Sequence, residues 1–290
     1  MNEIPASTDP APLLAAWNLT LEAVRPARQK AQIFDVRRQD GTLAILKVYR
    51  DDTMGYEAES PEFLRAMAGD HCVRLFESRP RAILMEFAEG TMLFHRAVNG
   101  DENGAIDRIV QVGEAIRRRR NLYTPKRTLK QRFWNVLYAE TGNHRLLLSD
   151  SFASARAISR TALEQDADAD RGMIHGDLHH GNIIESPKGA LLAIDPLTIY
   201  GEPEAEYCQA LCNPRRPKRP RTVEQVLSAV ARIETQTGLD PRRMVAWGVA
   251  AAANLLIVQV KRRGSDTRKI EFEARQVEML LQAYDEILRR

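Results

Sequence analysis

The chain has 290 residues, 44% of them hydrophobic, which is enough to bury one large core or the cores of two lobes. Its 42 Lys and Arg residues nearly balance 39 Asp and Glu residues. The resulting net charge of +3 excludes a strongly acidic solvating chain and gives no general case for nucleic-acid binding.

The first ninety residues are predicted to be rich in strands. Two β-prone runs flank Gln39-Asp40-Gly41, which is a turn signal typical of a hairpin. Ser60 is expected to cap a helix that has Pro61 at its first position. The four predicted strands are Ala31–Val36, Leu43–Tyr49, Cys72–Phe76 and Ala82–Phe87. Glu89-Gly90 ends this pattern, and we place a domain boundary there.

After Gly90 the hydrophobic periodicity is helical, as in Leu129, Phe133, Val136 and Leu137. A short β-like segment follows at 171–195, and from Arg221 onward the chain is predicted to be helical again. The sequence therefore predicts an α+β protein with two domains. These are a small antiparallel-sheet lobe over residues 1–90 and a larger, mainly helical lobe over residues 91–290.

Cysteines and apolar runs indicate the compartment. Three cysteines, Cys72, Cys208 and Cys212, are too few for a secreted disulfide framework and are expected to be reduced thiols. Met1–Leu14 lacks the pattern of a signal peptide. The longest apolar stretch, Val245–Val260, is shorter than the ~20 residues of a membrane helix. We expect a soluble, cytoplasmic protein with no membrane or nucleic-acid partner, either a monomer or a homodimer.

The most informative segment is Met173–Pro196, MIHGDLHHGNIIESPKGALLAIDP. Asn182 precedes a short strand, the turn Ser186-Pro187-Lys188-Gly189 and a second strand that ends before Asp195. Such a hairpin brings Asn182 and Asp195 close together as two oxygen ligands suited to Mg²⁺. Asp177 lies on the preceding loop. Phosphoryl transfer needs a carboxylate that orients and deprotonates a hydroxyl, together with an Asn and an Asp that hold the metal.

His175, Asp177 and Asn182 match the kinase catalytic pattern H-x-D-x-x-x-x-N, which is followed by an Asp on the next strand. A rival hypothesis is a metal hydrolase that uses His175, His179 and His180. Zinc sites with histidines at this spacing favour a helix, which Gly176 and Gly181 argue against.

The first lobe is expected to supply a lysine. Lys47 lies in the buried-strand pattern Ala-Ile-Leu-Lys-Val-Tyr, where a lysine needs an acidic partner. Candidates on the following segment are Glu57, Glu59 and Glu62, and the sequence leaves the choice among them open.

The motif His175–Asn182, with Ile194-Asp195-Pro196, resembles the aminoglycoside phosphotransferase family, which has a bilobal protein-kinase-like fold. The stretches Gly201-Glu202-Pro203 and Leu211-Cys212-Asn213-Pro214 are most similar to its streptomycin/hydroxyurea-type branch. The resemblance covers about Ala31 to Leu281.

This resemblance implies a role for each matching residue. Asp177 would be the catalytic base, braced by His175, and Asn182 and Asp195 would hold Mg²⁺. Lys47, paired with Glu57 or Glu59, would contact the phosphates of ATP. The first lobe would thus bind the nucleotide. The backbone groups of Glu86 and Ala88 would contact adenine.

The sequence departs from the family pattern in three places. The phosphate-covering loop reads Ala27-Arg28-Gln29-Lys30-Ala31 and lacks glycine. Asp195 is followed by Pro-Leu rather than Phe-Gly, which suits a small-molecule kinase. Glu206 stands where relatives often have Asp, and we expect it to be structural.

The resulting prediction is an ATP- and Mg²⁺-dependent phosphotransferase that acts on a hydroxyl of a small molecule, with an aminoglycoside of the streptomycin type as the first choice. Alternatives are a kinase of another metabolite, such as a sugar or amino alcohol, and a non-catalytic nucleotide-binding protein. A cationic acceptor would need an acidic pocket, for which Glu202, Glu204 and Glu206 are candidates. The basic run Arg215–Arg221 would suit a neutral or anionic acceptor.

Overall fold

The computed structural model describes residues 8–26, 30–51, 53–138, 144–167, 169–216, 218–262 and 264–290. They form two compact units. The first comprises residues 1–91 and 184–197, and the second comprises residues 92–183 and 198–290. The phosphate-covering loop predicted at 27–31 has its first three residues outside the described ranges.

The first unit is built on a five-stranded antiparallel sheet of order β1-β2-β3-β5-β4. Its elements are α1 (Ala11–Ala16), β1 (Thr20–Val24), β2 (Ala31–Arg37), β3 (Leu43–Tyr49), α2 (Ser60–Met67), β4 (Leu75–Arg79) and β5 (Ala82–Glu86). One face of the sheet forms a buried core around Phe34, Leu46 and Leu84, against which Leu14 and Trp17 pack. Along β2 the apolar Phe34 and Val36 are buried, whereas Asp35 and Arg37 between and after them are more exposed. This alternation is the pattern of a strand with one face on the core.

The hairpin between β2 and β3 is confirmed. The N–H of Arg38 donates to the oxygen of Thr42, and Asp40 accepts from the backbone N–H of Thr42. Two other local predictions are wrong. Ser60 does not cap α2 but is its first residue, because its hydroxyl donates to the Pro196 carbonyl at 2.8 Å. The strand predicted at Cys72–Phe76 begins only at Leu75, since Cys72 pairs with Ala193 in an isolated parallel bridge.

A hairpin from the motif segment also belongs to the first unit. It consists of β8 (Ile183–Glu185) and β9 (Leu191–Ala193), and the N–H of Ser186 donates to the Ala190 oxygen across the turn. The N–H of Val73 donates to Ala193, and the N–H of Ala193 donates to His71. These bonds explain why 184–197 groups with the first unit, although the sequence analysis placed it with 91–290.

The second unit is mainly helical. Its helices are α3 (Leu93–Val98), α4 (Glu102–Arg119), α5 (Leu129–Arg132), α6 (Trp134–Tyr138), α7 (Asp150–Asp166), α8 (Cys208–Cys212), α9 (Val223–Thr237), α10 (Pro241–Lys261) and α11 (Thr267–Leu288). Strands β7 (Gly172–Ile174) and β10 (Ile199–Gly201) pair with each other. Strand β6 (Thr91–Met92) lies where the chain passes from the first unit to the second.

Helix α10 is the one helix in the described part of the chain that is long and apolar enough to cross a membrane. Its apolar window is 67% buried inside the structure, and it packs against α11, α7 and α8. The helix has 21 residues, so it is longer than the apolar stretch Val245–Val260 identified in the sequence, and most of its apolar window is buried in the second unit.

Gly90 occupies a position that only glycine fits. Its φ is +143°, and a Cβ atom there would lie 2.2 Å from the Glu185 carbonyl oxygen. We expect Gly90→Ala to lower the free energy of unfolding by about 2–4 kcal/mol, because backbone strain and overpacking add. Gly189→Ala is the control: φ is +83° with no atom within 4 Å, so only strain of about 1–2 kcal/mol applies. Equal losses in denaturant unfolding would contradict the proposed clash.

Candidate active site

Lys47 is the centre of a buried charge cluster in the first unit. It lies on β3 and is 5% exposed. Its Nζ donates to Oε2 of Glu57 and, at 2.9 Å, to Oδ1 of Asp195. Burial alone would lower the pKa of Lys47, but the charges of Asp195 and Glu57 outweigh it and raise the pKa. The ammonium is therefore charged and held between two carboxylates.

Glu57 is the residue that the structure places against Lys47. It lies in a 3₁₀ turn, Gly55–Glu57, whereas Glu59 immediately precedes α2 and Glu62 pairs with Arg65. The hydroxyl of Tyr49 donates to the same Glu57 oxygen at 2.7 Å. The sequence analysis missed Tyr49. The available signal was its position two residues after Lys47, on the same face of the strand.

Asp195 follows the β8–β9 hairpin with a φ of 56°, in the left-handed region. One carboxylate oxygen accepts from Lys47, which leaves Oδ2 available, and the side chain is 32% exposed. The neighbouring carbonyl of Pro196 is fixed by the Ser60 hydroxyl. The hairpin and these bonds present one carboxylate oxygen of Asp195 for a ligand.

The loop of the second unit joins Asp177 and Asn182 directly. Nδ2 of Asn182 donates to the Asp177 backbone oxygen at 2.9 Å and to its Oδ2 at 3.0 Å. Both bonds use the amide nitrogen, so the orientation of the side chain is fixed and its Oδ1 is left as an acceptor or a metal ligand. The five-residue spacing between these residues closes this loop on itself.

Two further side chains, those of Arg132 and His179, lie near the Asp177 carboxylate. Nη2 of Arg132, at the end of α5, is 3.5 Å from Oδ1. Nε2 of His179 is 3.7 Å from Oδ2. The sequence analysis missed Arg132, because 45 residues separate it from Asp177 and no local pattern connects them.

His175 and Glu206 hold the start of the loop. Nδ1 of His175 accepts the N–H of Asp177 at 3.2 Å. The Glu206 carboxylate accepts the N–H of His175 at 2.8 Å and the N–H of Gly176 at 3.2 Å. Burial raises the pKa of Glu206 to about 7, although both backbone bonds lower it. The structural role expected for Glu206 therefore consists in fixing the backbone just before Asp177.

Glu206 also predicts a pH dependence of stability. Its pKa is about 7 in the folded state against 4.5 ordinarily, so the native protein keeps a proton that the unfolded chain releases. The free energy of unfolding should therefore fall as the pH rises from about 4.5 to 7, by up to about 3 kcal/mol from this group. Chemical unfolding of the wild type and Glu206→Gln at pH 5 and pH 8 measures it. The glutamine variant should show the shallower slope, and the exposed Glu224→Gln should follow the wild type. Parallel slopes for all three proteins would contradict the assignment.

The segment proposed to meet adenine follows β5. The backbone N–H of Glu86 donates to the Arg74 oxygen at 2.8 Å, and its carboxylate accepts the Arg74 N–H at 3.0 Å. Two residues on, the Ala88 N–H has no hydrogen-bond partner among the residues that the structure describes. This N–H is thus available to a ligand, whereas that of Glu86 is used internally.

The sequence offered Glu202, Glu204 and Glu206 as the lining of an acidic substrate pocket. The structure excludes Glu202 and Glu206 from such a lining. Glu202 is fully buried, and its carboxylate accepts from Arg243 and from the indole N–H of Trp247. Glu206 is buried in the 3₁₀ turn Pro203–Tyr207, and its carboxylate accepts the N–H groups of His175 and Gly176. Both carboxylates are therefore used to hold the second unit together and cannot meet a solvent-borne cation.

The zinc hypothesis finds no support in the structure. Within the described ranges, no group of three or more His, Cys, Asp and Glu side chains is arranged to hold a metal ion. His175 accepts a backbone N–H and His180 is fully buried. The three cysteines are free and buried, as expected for reduced thiols.

Comparison with known proteins defines the class. The family model described as aminoglycoside/hydroxyurea antibiotic resistance kinase matches residues 16–264. The chain belongs to this family, and it is an ATP-dependent small-molecule kinase with a protein-kinase-like fold.

Two relatives and one solved structure illustrate the similarity. A streptomycin 3''-kinase of Klebsiella pneumoniae is 27% identical over 241 residues, which cover 81% of this chain and 86% of the relative. A hydroxyurea phosphotransferase of Kitasatospora aureofaciens is 30% identical over 254 residues, covering 82% and 68%. An aminoglycoside phosphotransferase crystallised with AMP-PNP and hygromycin B shares the fold, with a TM-score of 0.62, 13% identity, and coverage of 93% and 96%.

Proposed function

We propose that this kinase transfers the γ-phosphoryl group of ATP to a hydroxyl of an aminoglycoside of the streptomycin type. The observation that carries the proposal is the pair Asp177 and Asn182, which combines a carboxylate for the acceptor hydroxyl with an amide oxygen for a metal. The streptomycin kinase among the relatives supports the choice of acceptor. The proposal includes a cytoplasmic location. The protein would be a soluble monomer or homodimer without nucleic-acid or membrane partners.

Asp177 is proposed as the catalytic base. Its carboxylate is 28% exposed, oriented by Asn182 and preceded by a backbone that Glu206 and His175 hold. The carboxylate would accept the hydroxyl proton of the acceptor as the oxygen attacks the γ-phosphorus in line and the bond to the β-phosphate oxygen breaks. His175 braces the loop in this mechanism and does not react.

Asn182 and Asp195 are proposed as the ligands of Mg²⁺. Each residue offers an oxygen left over by its own hydrogen bonds, Oδ1 of Asn182 and Oδ2 of Asp195. Such a set of hard oxygen donors fits this cation. When bound, Mg²⁺ would neutralise negative charge on the phosphates of ATP.

Lys47 is proposed to bind the phosphates of ATP, with Glu57 and Tyr49 fixing the position of its ammonium group. Glu59 lies at the N-cap position of α2. Glu86 and Ala88 would meet adenine through the backbone, with the Ala88 N–H as the donor. Positioning and charge neutralisation would supply most of the rate.

A second acceptor class is a small neutral molecule such as hydroxyurea. The guanidinium of Arg132 at 3.5 Å from Asp177 favours it, because a cation beside the base opposes a polycationic acceptor. The relative named hydroxyurea phosphotransferase supports the same class. Sugars and amino alcohols are further candidate acceptors. A non-catalytic nucleotide-binding protein would not need a base, so the presence of Asp177 argues against that alternative.

The test is ADP formation by the purified protein with Mg-ATP and a panel of streptomycin, hydroxyurea, sugars and amino alcohols, with Asp177→Ala as the control. Turnover that depends on streptomycin and is lost in the control would support the proposal. Turnover only with hydroxyurea or a metabolite would keep the kinase and replace the acceptor. Nucleotide binding without any turnover would favour the non-catalytic alternative.

A further inference from the structure

Arg132 has fewer hydrogen-bond partners than its guanidinium group can use. Its side chain lies at the end of α5, is 13% exposed and carries five N–H donors. Among the residues that the structure describes, Oδ1 of Asp177 is its one hydrogen-bond acceptor, and its Nε is buried without a partner. A largely buried cation with unused donors is costly, so the arrangement indicates an acceptor group that a ligand supplies.

The contact with Asp177 does not satisfy this cation. Its length of 3.5 Å exceeds the roughly 2.7–2.9 Å that is usual for a charge-assisted hydrogen bond. Oδ2 of the same carboxylate accepts from Asn182 at 3.0 Å, and Nε2 of His179 lies 3.7 Å from it. Oδ1 is therefore the oxygen left for an acceptor hydroxyl, and Arg132 lies beside that oxygen.

The backbone that carries Arg132 is fixed within the second unit. Thr128 and Gln131 form a capping box at the start of α5, and the N–H of Arg132 donates to the Thr128 oxygen at 2.9 Å. The next residue, Phe133, is buried and stacks on Trp247 with ring centroids 5.4 Å apart. A cation on such a support is in place before the reaction, which is the condition for effective stabilisation of a transition state.

Arg132 lies close to the place where the acceptor oxygen would react. A hydroxyl bonded to Oδ1 of Asp177 would lie about 2.7 Å from it. Because Nη2 of Arg132 lies 3.5 Å from the same Oδ1, the hydroxyl oxygen and the guanidinium nitrogen are at most about 6 Å apart. The transferred phosphorus bonds to that hydroxyl oxygen, so its other oxygens come within reach of the arginine side chain.

Proton transfer to Asp177 would release the charge of Arg132. As the acceptor oxygen attacks the γ-phosphorus, its proton passes to Oδ1, and the electron pair of the breaking bond leaves with ADP. The carboxyl group is then neutral, while negative charge is spread over the oxygens of the transferring group. Arg132 therefore loses its counter-ion at the stage when that group most needs a positive charge.

We propose that Arg132 is a further catalytic residue, which donates to the non-bridging oxygens of the transferring phosphoryl group in the transition state. The inference rests on the proposed function and deepens it. It assigns Arg132 to the transfer step itself, so it holds for any acceptor whose hydroxyl Asp177 deprotonates.

The first experiment compares Arg132→Met, Arg132→Lys and Lys130→Met with the wild type. Methionine removes the charge, lysine keeps it without the planar fork, and Lys130 is an exposed cation on the same helix. The kcat for acceptor-dependent ADP formation should fall about 10²–10³-fold in Arg132→Met, as when one donor to transition-state charge is lost. The KM for ATP should change little. Arg132→Lys should lie between these values, and Lys130→Met should match the wild type.

A second experiment needs no acceptor. Fluoroaluminate added to Mg-ADP mimics the transferring phosphoryl group and should tighten nucleotide binding by the wild type, as measured by calorimetry. Arg132→Met should lose this tightening and keep the wild-type Kd for Mg-ADP alone, which also shows that the variant is folded. The same loss should appear when Arg132→Met is added to Asp177→Asn. If Arg132 only positioned the Asp177 carboxylate, its effect would vanish in that background.

The outcomes separate the role of Arg132 from the choice of acceptor. Normal tightening by fluoroaluminate in Arg132→Met, or an effect that vanishes beside Asp177→Asn, would overturn the role. So would a wild type whose Kd for Mg-ADP does not respond to fluoroaluminate. Loss of the tightening in Arg132→Met, with no phosphorylation of streptomycin by the wild type, would support the role and defeat the proposed acceptor. Phosphorylation of streptomycin by Arg132→Met at the wild-type kcat would overturn the role alone.

Discussion

Replacing Asp177 by alanine should reduce acceptor-dependent turnover by about 10²–10⁴-fold, the usual contribution of a general base. Binding of the nucleotide should change little, because the groups proposed to hold the phosphates are Lys47 and Asp195. Asp177→Asn should lose the same activity with less disturbance of the loop, since its amide oxygen can still accept the Asn182 bond. The measurement is steady-state ADP formation beside nucleotide binding by calorimetry.

The exposed Asp150→Ala serves as the matched control for this experiment and should keep wild-type turnover. Asp150 lies in the first turn of α7, and we assign it no part in the site. Its replacement therefore removes a carboxylate that has no role in the proposed chemistry. Full turnover by either Asp177 variant would show that another group accepts the hydroxyl proton and that the base assignment is wrong.

Replacing Asp195 by alanine should weaken the binding of Mg-ATP at least about tenfold and lower turnover by about 10²–10³-fold. The physical reason is twofold. One proposed metal ligand is lost, and Lys47 keeps only one carboxylate partner, Glu57. A titration of turnover against Mg²⁺ concentration should show a midpoint shifted to higher concentration.

Glu57→Gln separates the two causes of the Asp195 effect. It neutralises the carboxylate partner of Lys47 and leaves both proposed metal ligands in place. Nucleotide binding should therefore weaken, while the Mg²⁺ concentration at half-maximal turnover should equal that of the wild type. If Asp195→Ala also kept the wild-type midpoint, Asp195 would be a partner of Lys47 only and the metal site would have to lie elsewhere.

Much of the site could be predicted because its contacts are local in the chain. Asp177 and Asn182 are five residues apart, and their side chains bond within one loop. The hairpin after Asn182 follows from a turn of Ser, Pro, Lys and Gly between two apolar runs. Lys47 was found because a lysine inside a buried strand needs a carboxylate.

Contacts between distant segments escaped the sequence analysis. Arg132 reaches Asp177 across 45 residues, and Glu206 reaches the His175 N–H across 31. The choice of Glu57 over Glu59 depended on a 3₁₀ turn before α2, which the helix pattern after Ser60 did not reveal. Ser60 does not cap its own helix, because its hydroxyl donates to the distant Pro196 carbonyl.

The sequence by itself determined the class of this protein, the loop that joins Asp177 to Asn182, its sheet-rich first part and its helical remainder. These features depend on spacing and periodicity within short stretches, where chain connectivity restricts the geometry. Only the tertiary structure decided which acid holds Lys47, that Glu202 and Glu206 are buried supports, and that Arg132 lies beside Asp177. Those outcomes depend on which distant surfaces pack together, since burial and hydrogen-bond partners are properties of the assembled chain.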